Sequence, residues 1–437
     1  MDKLMQSKPC FLIGAANSNS GKTTLAIGLM RALKRKGLDI QPFKCGPDYI
    51  DTQFHGVASG RQSINLDTFL ASENFVKETF LRHSSGADAI VAEGVMGLFD
   101  GYEGSRGSSA EIAQLLDIPV VLVVNARSMA YSAAPLIYGF RHFNPKLNLK
   151  GVIFNMVGSA RQHQMLKTAC VDAGVECFGF LPRIADLEVP SRHLGLTLSG
   201  YDIIDKFADK AADAVIEGVD LEKLLSMCQK DIEQYEEKPL QSGRKPLKIA
   251  IAKDEAFSFI YPDNIESLLH HPHYQVEINY FSPISDDCLP QADLLYLPGG
   301  YPELYAEQLS GNISMKQSVR DFALSGGKVF AECGGMIYLS KAIDGAEMCG
   351  VLPFECTMEN ARLTLGYRRL QVGKYDFRGH EFHYSKIKDG NEMQSIAEIK
   401  TAAGDTAKVG LYRQQNVIAG YTHIYWAEND LFKLWKE

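Results

Sequence analysis

The sequence predicts an α/β chain of two domains, each built on a largely parallel sheet. Five apolar runs carry the first half of that expectation: FLIGAA (11–16), ADAIVAEGV (87–95), IPVVLVVNA (118–126), LKGVIFNMV (149–157) and VECFGFLP (175–182). They are continuous rather than alternating, as suits strands buried on both faces. Helical patterns lie between them: Lys22–Lys36 ends at Gly37, a C-cap residue, and Ser109–Leu116 precedes Asp117. Residues 219–246 break the rhythm and read as a polar helix followed by a linker bearing Pro, Ser and Gly. Strand patterns restart at LKIAIAKDEAF and continue through YQVEINYFSP, ADLLYLPGGYPE, KVFAECGG and VIAGYTHIYW. The predicted boundary therefore lies near residue 243, giving domains 1–243 and 244–437.

Composition narrows the function. A chain of 437 residues, 46% hydrophobic and 22% charged, can bury more than one core. Its net charge of -8 gives no electrostatic footprint for nucleic acid. Nine scattered cysteines, with no CxxC pair, suit reduced thiols rather than a disulfide framework or a zinc site. The apolar run Cys10–Ala16 is too short for a signal peptide, and no run approaches the roughly 20 apolar residues of a membrane span. The expectation is a cytoplasmic protein without membrane or nucleic-acid partners.

After FLIGAA comes NSNSGKTT and then an amphipathic helix. Backbone N–H groups of such a loop cradle phosphates, with Ser20, Gly21, Lys22, Thr23 and Thr24 as the nucleotide contacts. Lys22 would reach the terminal phosphates and Thr23 would hold Mg²⁺. The pattern departs from GxxxxGK[ST], because Ala16 stands in place of the first glycine; Asn19 is the residue able to adopt a left-handed conformation there. PFKCGPDYID carries Asp48 and Asp51; Asp48 and Glu93, the latter at the end of a buried strand, are the candidate Mg²⁺ ligands with Thr23. The plainer alternatives are that Asp48 serves a turn after Pro47 and that Glu93 caps a helix. Asn155, at the end of VIFN, is either an adenine contact or a strand-end turn residue.

In KVFAECGGMIYLS, Cys333 stands on a tight turn between a strand and a helix. Gly334 and Gly335 allow the turn, and the helix that follows is expected to lower the thiol pKa. A buried structural cysteine is the competing reading. Gly299 and Gly300 in YLPGGYPE lie in a loop able to aim N–H groups at an oxyanion, and Gly300 and Gly334 are the expected donors. His423, in GYTHIYWAEND, is the candidate general base for Cys333, with His380 and His383 of GHEFHYS as competitors.

These motifs carry a resemblance. LPGGYPE and AECGGM make the second half similar to class I glutamine amidotransferases, which implies a flavodoxin-like α/β domain. The first half resembles the dethiobiotin-synthetase-like P-loop domains that form amide bonds, which implies a doubly wound, mostly parallel sheet. With FKCGPDYID, EGVMGLFDG, PSRHLGL and RGHEFHYS in this order, the whole chain resembles the cobyrinic acid a,c-diamide synthase family of cobalamin biosynthesis. The resemblance implies a ligase that uses ATP, Mg²⁺ and L-glutamine to amidate the a and c carboxylates of cobyrinic acid. It also implies a Cys333–His423 dyad, since Tyr425 stands where many class I enzymes carry a triad glutamate; Glu428 is the remaining candidate for that role. A corrinoid with several carboxylates calls for cations, and Tyr49, Arg106, Arg192 and His193 are candidate contacts, with Arg61 and Arg183 as further loop cations. A homodimer is a candidate assembly. The same chemistry on nickel-sirohydrochlorin is the close alternative, and cobyric acid synthase shares the architecture. A regulatory P-loop ATPase with an inactive amidotransferase-like domain is the distant alternative.

Overall fold

The computed structural model describes residues 5–184, 187, 198–237, 239–388, 390 and 392–436. The chain divides near residue 238 into two compact units, with Phe69–Ala71 grouped with the second.

The first unit opens with β1 (Met5–Ala15), α1 (Lys22–Arg35), β2 (Ile40–Cys45), α2 (Asp51–Ser59), β3 (Ile64–Leu66) and α3 (Glu73–Ser84). It continues with β4 (Ala89–Glu93), α4 (Ser109–Leu115), β5 (Val120–Asn125), α5 (Ala133–Phe143), β6 (Leu149–Val157), α6 (Ala160–Asp172) and β7 (Glu176–Pro182). It closes with α7 (Leu198–Gly218), α8 (Leu221–Met227) and β8 (Gln229–Glu233). The strands run β3-β2-β4-β1-β5-β6-β7, all parallel, as the continuous apolar runs predicted. Phe11, Leu12 and Ile13 of the central strand are fully buried. The polar helix expected after residue 219 is only α8; the next residues form β8, which pairs antiparallel with Met5–Pro9 of β1. Its partner lies more than two hundred residues away, so local pattern did not reveal it. Lys8 on β1 is buried, and its ammonium donates to the carbonyls of Ser84 (3.3 Å), Ser85 (2.7 Å) and Ala87 (2.6 Å), closing the end of α3.

The second unit runs β9 (Lys245–Ala252), α9 (Pro262–Leu269), β10 (Tyr274–Phe281), β11 (Leu294–Leu297), α10 (Ala306–Gly311), α11 (Ile313–Leu324), β12 (Lys328–Glu332) and α12 (Gly334–Leu339). Short strands β13 (Ala342–Ile343), β14 (Ala346–Glu347) and β15 (Cys356–Thr357) precede β16 (Thr364–Val372), β17 (Tyr375–His383), β18 (Lys386–Ile387) and β19 (Ala397–Thr401). The last strands are β20 (Leu411–Gln414), β21 (Val417–Gly420) and β22 (His423–Tyr425). The main sheet, β10-β9-β11-β12-β21-β20, is parallel except for β20. A second sheet, β19-β16-β17-β22, is antiparallel. Side chains alternate across the main sheet. Ala250, Leu297, Ala331 and Ala419 pack with α11 and α12, whereas Ile251, Tyr296, Phe330 and Ile418 pack with Leu370, Phe377 and Ile399 of the antiparallel sheet. VIAGYTHIYW is therefore not one strand. The chain leaves the parallel sheet after Gly420 and enters the antiparallel one at His423. No described helix is long and apolar enough to cross a membrane.

Candidate active sites

In the first unit, the loop between β1 and α1 turns through two left-handed residues, Asn19 (φ 61) and Gly21 (φ 92). Asn19 thus has the conformation expected of it. Ser20 donates from its hydroxyl to Asn17 Oδ1 at 2.5 Å, and the Lys22 ammonium donates to the Asn17 carbonyl at 3.2 Å. Burial lowers the pKa of Lys22. Thr24 is buried on the first turn of α1. Asn155, at the tip of β6, donates from Nδ2 to the Ser20 carbonyl at 3.0 Å and accepts from the Met156 N–H on Oδ1. A Cβ on Gly21 would collide with that amide. Asn155 braces the loop where the sequence reading set an adenine contact against a strand-end turn.

On the acidic side of the loop, the two carboxylates of PFKCGPDYID are held differently. Asp48 accepts on Oδ1 from the N–H groups of Ile50 (2.8 Å) and Asp51 (2.9 Å), so it shapes the turn that starts α2. Asp51, the other acid of PFKCGPDYID, is the carboxylate that approaches Thr23, with Oδ2 3.5 Å from Oγ1. Asp48 Oδ1 is thus engaged in the turn, whereas Asp51 Oδ2 stands beside the Thr23 hydroxyl. Glu93, at the end of β4, accepts from the Thr23 hydroxyl on Oε1 at 2.6 Å. Lys44 at the end of β2 reaches both acids, 2.6 Å from Asp51 Oδ2 and 2.9 Å from Glu93 Oε1. All three side chains are at most 3% exposed. Burial alone would push Glu93 up, but Lys44 and His55 hold its carboxyl well below the ordinary carboxylate range. Burial and the neighbouring charge of Asp48 push Asp51 up instead. Asp51 Oδ1 is buried and takes no hydrogen bond. A hydroxyl and two carboxylates, one with an orphaned oxygen, form an all-oxygen set that suits Mg²⁺.

The candidate substrate contacts fare less evenly. Tyr49 is buried. Arg106 is exposed and paired with Glu103 at 3.0 Å. Arg61 is paired with Asp39 at 3.2 Å, and Arg183 is exposed. Arg192 and His193, with the rest of PSRHLGL, lie outside the described residues.

In the second unit, Cys333 sits between β12 and α12 with φ 45 and ψ -103, a conformation that costs a non-glycine residue on the order of 1–3 kcal/mol. Its N–H donates to the Gly420 carbonyl at 2.7 Å, which fixes the turn. Gly335 is required beneath it, since a Cβ there would collide with the Leu297 carbonyl. A Cβ on Gly334 would come within 3.0 Å of the Gly300 nitrogen, so the two proposed oxyanion donors lie together. Both N–H groups act to hold the thiol pKa down. The thiol pKa nevertheless departs from the expected direction. Burial, then the carboxylate of Glu303, raise it well above the ordinary thiol value, and the N–H groups of Gly334 and Gly300 only partly offset this. The six-residue α12 does not overcome full burial.

His423 starts β22 directly opposite His380 of β17. Its ring lies over Gly299, where a Cβ would collide with Cε1. Burial and the neighbouring His380 and His383 lower its pKa well below the ordinary value, so the imidazole is neutral at pH 7. His383 is held differently: it stacks on Tyr421 at 3.8 Å, and its Nδ1–H donates to the Ser385 carbonyl at 2.8 Å. The backbone carbonyl of Phe382, the residue before His383, accepts from the Cys333 sulfur at 3.8 Å. Where a triad acid would follow, the Tyr425 hydroxyl donates to Asp263 at 2.8 Å, and Glu428 is exposed. Sequence reasoning also missed the polar braces on either side of His423. Thr422 donates to Glu381 at 3.1 Å, and Glu381 is buried against Arg368 at 2.6 Å. Asn264 bonds both the Ile424 carbonyl and the Trp426 N–H.

Comparison with known proteins adds to this geometry. Residues 11–196 match the CobQ/CobB/MinD/ParA nucleotide binding domain, and residues 248–431 match the CobB/CobQ-like glutamine amidotransferase domain. The cobyrinate a,c-diamide synthase of Picrophilus torridus is 41% identical over 435 residues, covering 96% of each chain. That of Caldanaerobacter subterraneus subsp. tengcongensis is 38% identical over 432 residues, 95% of this chain and 94% of the other. The hydrogenobyrinate a,c-diamide synthase of Brucella abortus is 38% identical over 429 residues, 95% of this chain and 98% of the other.

Proposed function

The chain belongs to the cobyrinate and hydrogenobyrinate a,c-diamide synthase family, and from that premise we propose how it amidates a corrinoid. It is a glutamine-dependent ligase of cobalamin biosynthesis. The observation that carries the mechanism is the pairing, in one chain, of a strained, buried cysteine under two glycine N–H groups with a phosphate loop facing two acids.

Cys333 and His423 begin as a neutral thiol and a neutral imidazole. His423 takes the thiol proton as sulfur adds to the side-chain carbonyl of glutamine. Gly300 and Gly334 donate to the oxyanion that forms, a contribution of roughly 10²–10³ in rate per donor in comparable sites. The proton passes to the departing nitrogen, ammonia leaves, and water hydrolyses the thioester to glutamate. In the first unit, Lys22 and the loop N–H groups hold the phosphates of ATP. Thr23, Asp51 and Glu93 would hold Mg²⁺, which draws charge from those phosphates. A corrinoid carboxylate oxygen attacks the γ-phosphorus and ADP leaves. Ammonia then displaces phosphate from the acyl phosphate to give the amide, at the a and the c side chains. We assign the enzyme to the cytoplasm, where nine free cysteines remain reduced.

The test is incubation with ATP, Mg²⁺ and glutamine against cobyrinic acid, hydrogenobyrinic acid and nickel-sirohydrochlorin, read by mass spectrometry. Two replacements of OH by NH₂ on cobyrinic acid are expected. Amidation confined to nickel-sirohydrochlorin overturns the substrate assignment.

A further inference from the structure

His55 is a fully buried side chain that the mechanism above does not use. It lies on α2 four residues after Asp51, so one helical turn delivers both side chains to the same face. Its Nε2 is 2.6 Å from Glu93 Oε2, and its Nδ1 is 3.1 Å from the hydroxyl of Ser63. A carboxylate only accepts, so Nε2 carries the hydrogen; the Ser63 hydroxyl can serve the other nitrogen as donor or acceptor.

Glu93 is thus held from two sides. Oε1 faces Thr23 and Lys44, and Oε2 faces His55. The terminal torsion of a glutamate is soft, so a carboxylate beside an ammonium turns readily toward it. Without a partner on Oε2, the carboxylate would be free to turn about that torsion beside Lys44, and either oxygen could meet the ammonium. We propose that His55 is a positioning residue: it fixes Glu93 so that Oε1 is presented beside Thr23, where the nucleotide's divalent cation binds. Partners of this kind orient ligands in many metal sites, and their loss costs roughly 10–100-fold in metal affinity. The competing explanation is a core histidine that happens to meet an acid. The geometry favours positioning because the Ser63–His55–Glu93 chain ends on the carboxylate that the phosphate-loop threonine contacts.

This inference rests on the assignment of Thr23, Asp51 and Glu93 to the metal, and the experiment separates the two. The full chain with a non-hydrolysable ATP analogue is titrated with Mn²⁺ and followed by electron paramagnetic resonance, alongside metal-free binding of the analogue. Glu93→Gln and His55→Ala are each expected to weaken Mn²⁺ by roughly 10–100-fold while metal-free analogue binding is kept. His55→Gln, whose amide still donates to Oε2, should restore most of the affinity; His55→Asn, one methylene shorter, should not. Wild-type Mn²⁺ affinity in Glu93→Gln overturns the metal assignment itself. Weakening in Glu93→Gln with wild-type affinity in His55→Ala overturns the positioning role alone. Should His55→Ala not fold, equal affinities in the Gln and Asn variants overturn it.

Discussion

Glu332 accepts the backbone N–H of Ile424 on Oε1 at 2.6 Å, so the residue before the thiol holds the residue after His423. Its other oxygen accepts from the Tyr296 hydroxyl at 2.7 Å. Nucleophile and base stand on different sheets, and this carboxyl spans the two. It is buried among Tyr296, Phe330 and Trp426, where its chemistry is that of a core polar group.

The first prediction concerns that carboxyl. Burial pushes Glu332 up to about 8, so the folded chain keeps a proton that the unfolded chain releases above about 4.5. Its contribution to stability is present in full below the unfolded value and is lost as pH rises toward the folded one, at about 1.4 kcal/mol per pH unit at most. Glu332→Gln removes the titration and keeps an acceptor. The advantage of wild type over the variant should shrink between pH 5 and 8, as measured by chemical denaturation. Parallel stability curves would contradict it.

The second concerns the division of labour. Cys333→Ala should abolish glutamine-dependent amidation and leave synthesis from added ammonia. A folded variant that loses both equally would show that the thiol does more than release ammonia.

The third separates the histidines. His423→Asn should slow glutaminase turnover by on the order of 10²–10⁴, the usual cost of losing a general base. His383→Asn should fall well short of that. Because burial raises the Cys333 thiol, alkylation of the free enzyme should be slow at pH 7 and still rising at pH 9. A large glutaminase loss in His383→Asn with normal turnover in His423→Asn would exchange the two roles.

The fourth uses the ring's seat. A Cβ at Gly299 collides with His423 Cε1, so Gly299→Ala should displace the base and lower glutaminase rate while ammonia-driven synthesis continues. Unchanged glutaminase kinetics would show that the ring has room to move without loss.

The fifth compares the acids. Lys22→Ala and Asp51→Asn should remove amidation from either nitrogen source, by on the order of 10² or more in rate. Asp48→Asn keeps an Oδ1 that accepts from Ile50 and Asp51, so it should leave the turn and most of the activity in place. A deeper catalytic loss in Asp48→Asn than in Asp51→Asn would return the ligand role to Asp48.

Much of this was legible because buried parallel strands write themselves as continuous apolar runs, and because GKTT and ECGG each force one kind of turn. The choice between Asp48 and Asp51 was not. Both sit in PDYID, and only the start of α2 decides which side chain turns inward. The change of sheet between Gly420 and His423 was hidden because VIAGYTHIYW is apolar throughout. The thiol pKa was misjudged because a helix terminus is visible in sequence, whereas full burial is not.

The pairing of β1 with β8 bears on the order of folding. The central strand of the first sheet receives its antiparallel partner from residues 229–233, so part of its edge stays open until those residues have been synthesised. A nascent chain would meanwhile expose the backbone of Met5–Pro9 as a template for foreign strands. Lys8, next to the last residue of that stretch, is a charge of the kind that discourages such pairing, and it is buried only once the carbonyls of Ser84, Ser85 and Ala87 have gathered around it. The same ammonium therefore guards an immature edge early in folding and closes a helix at the end.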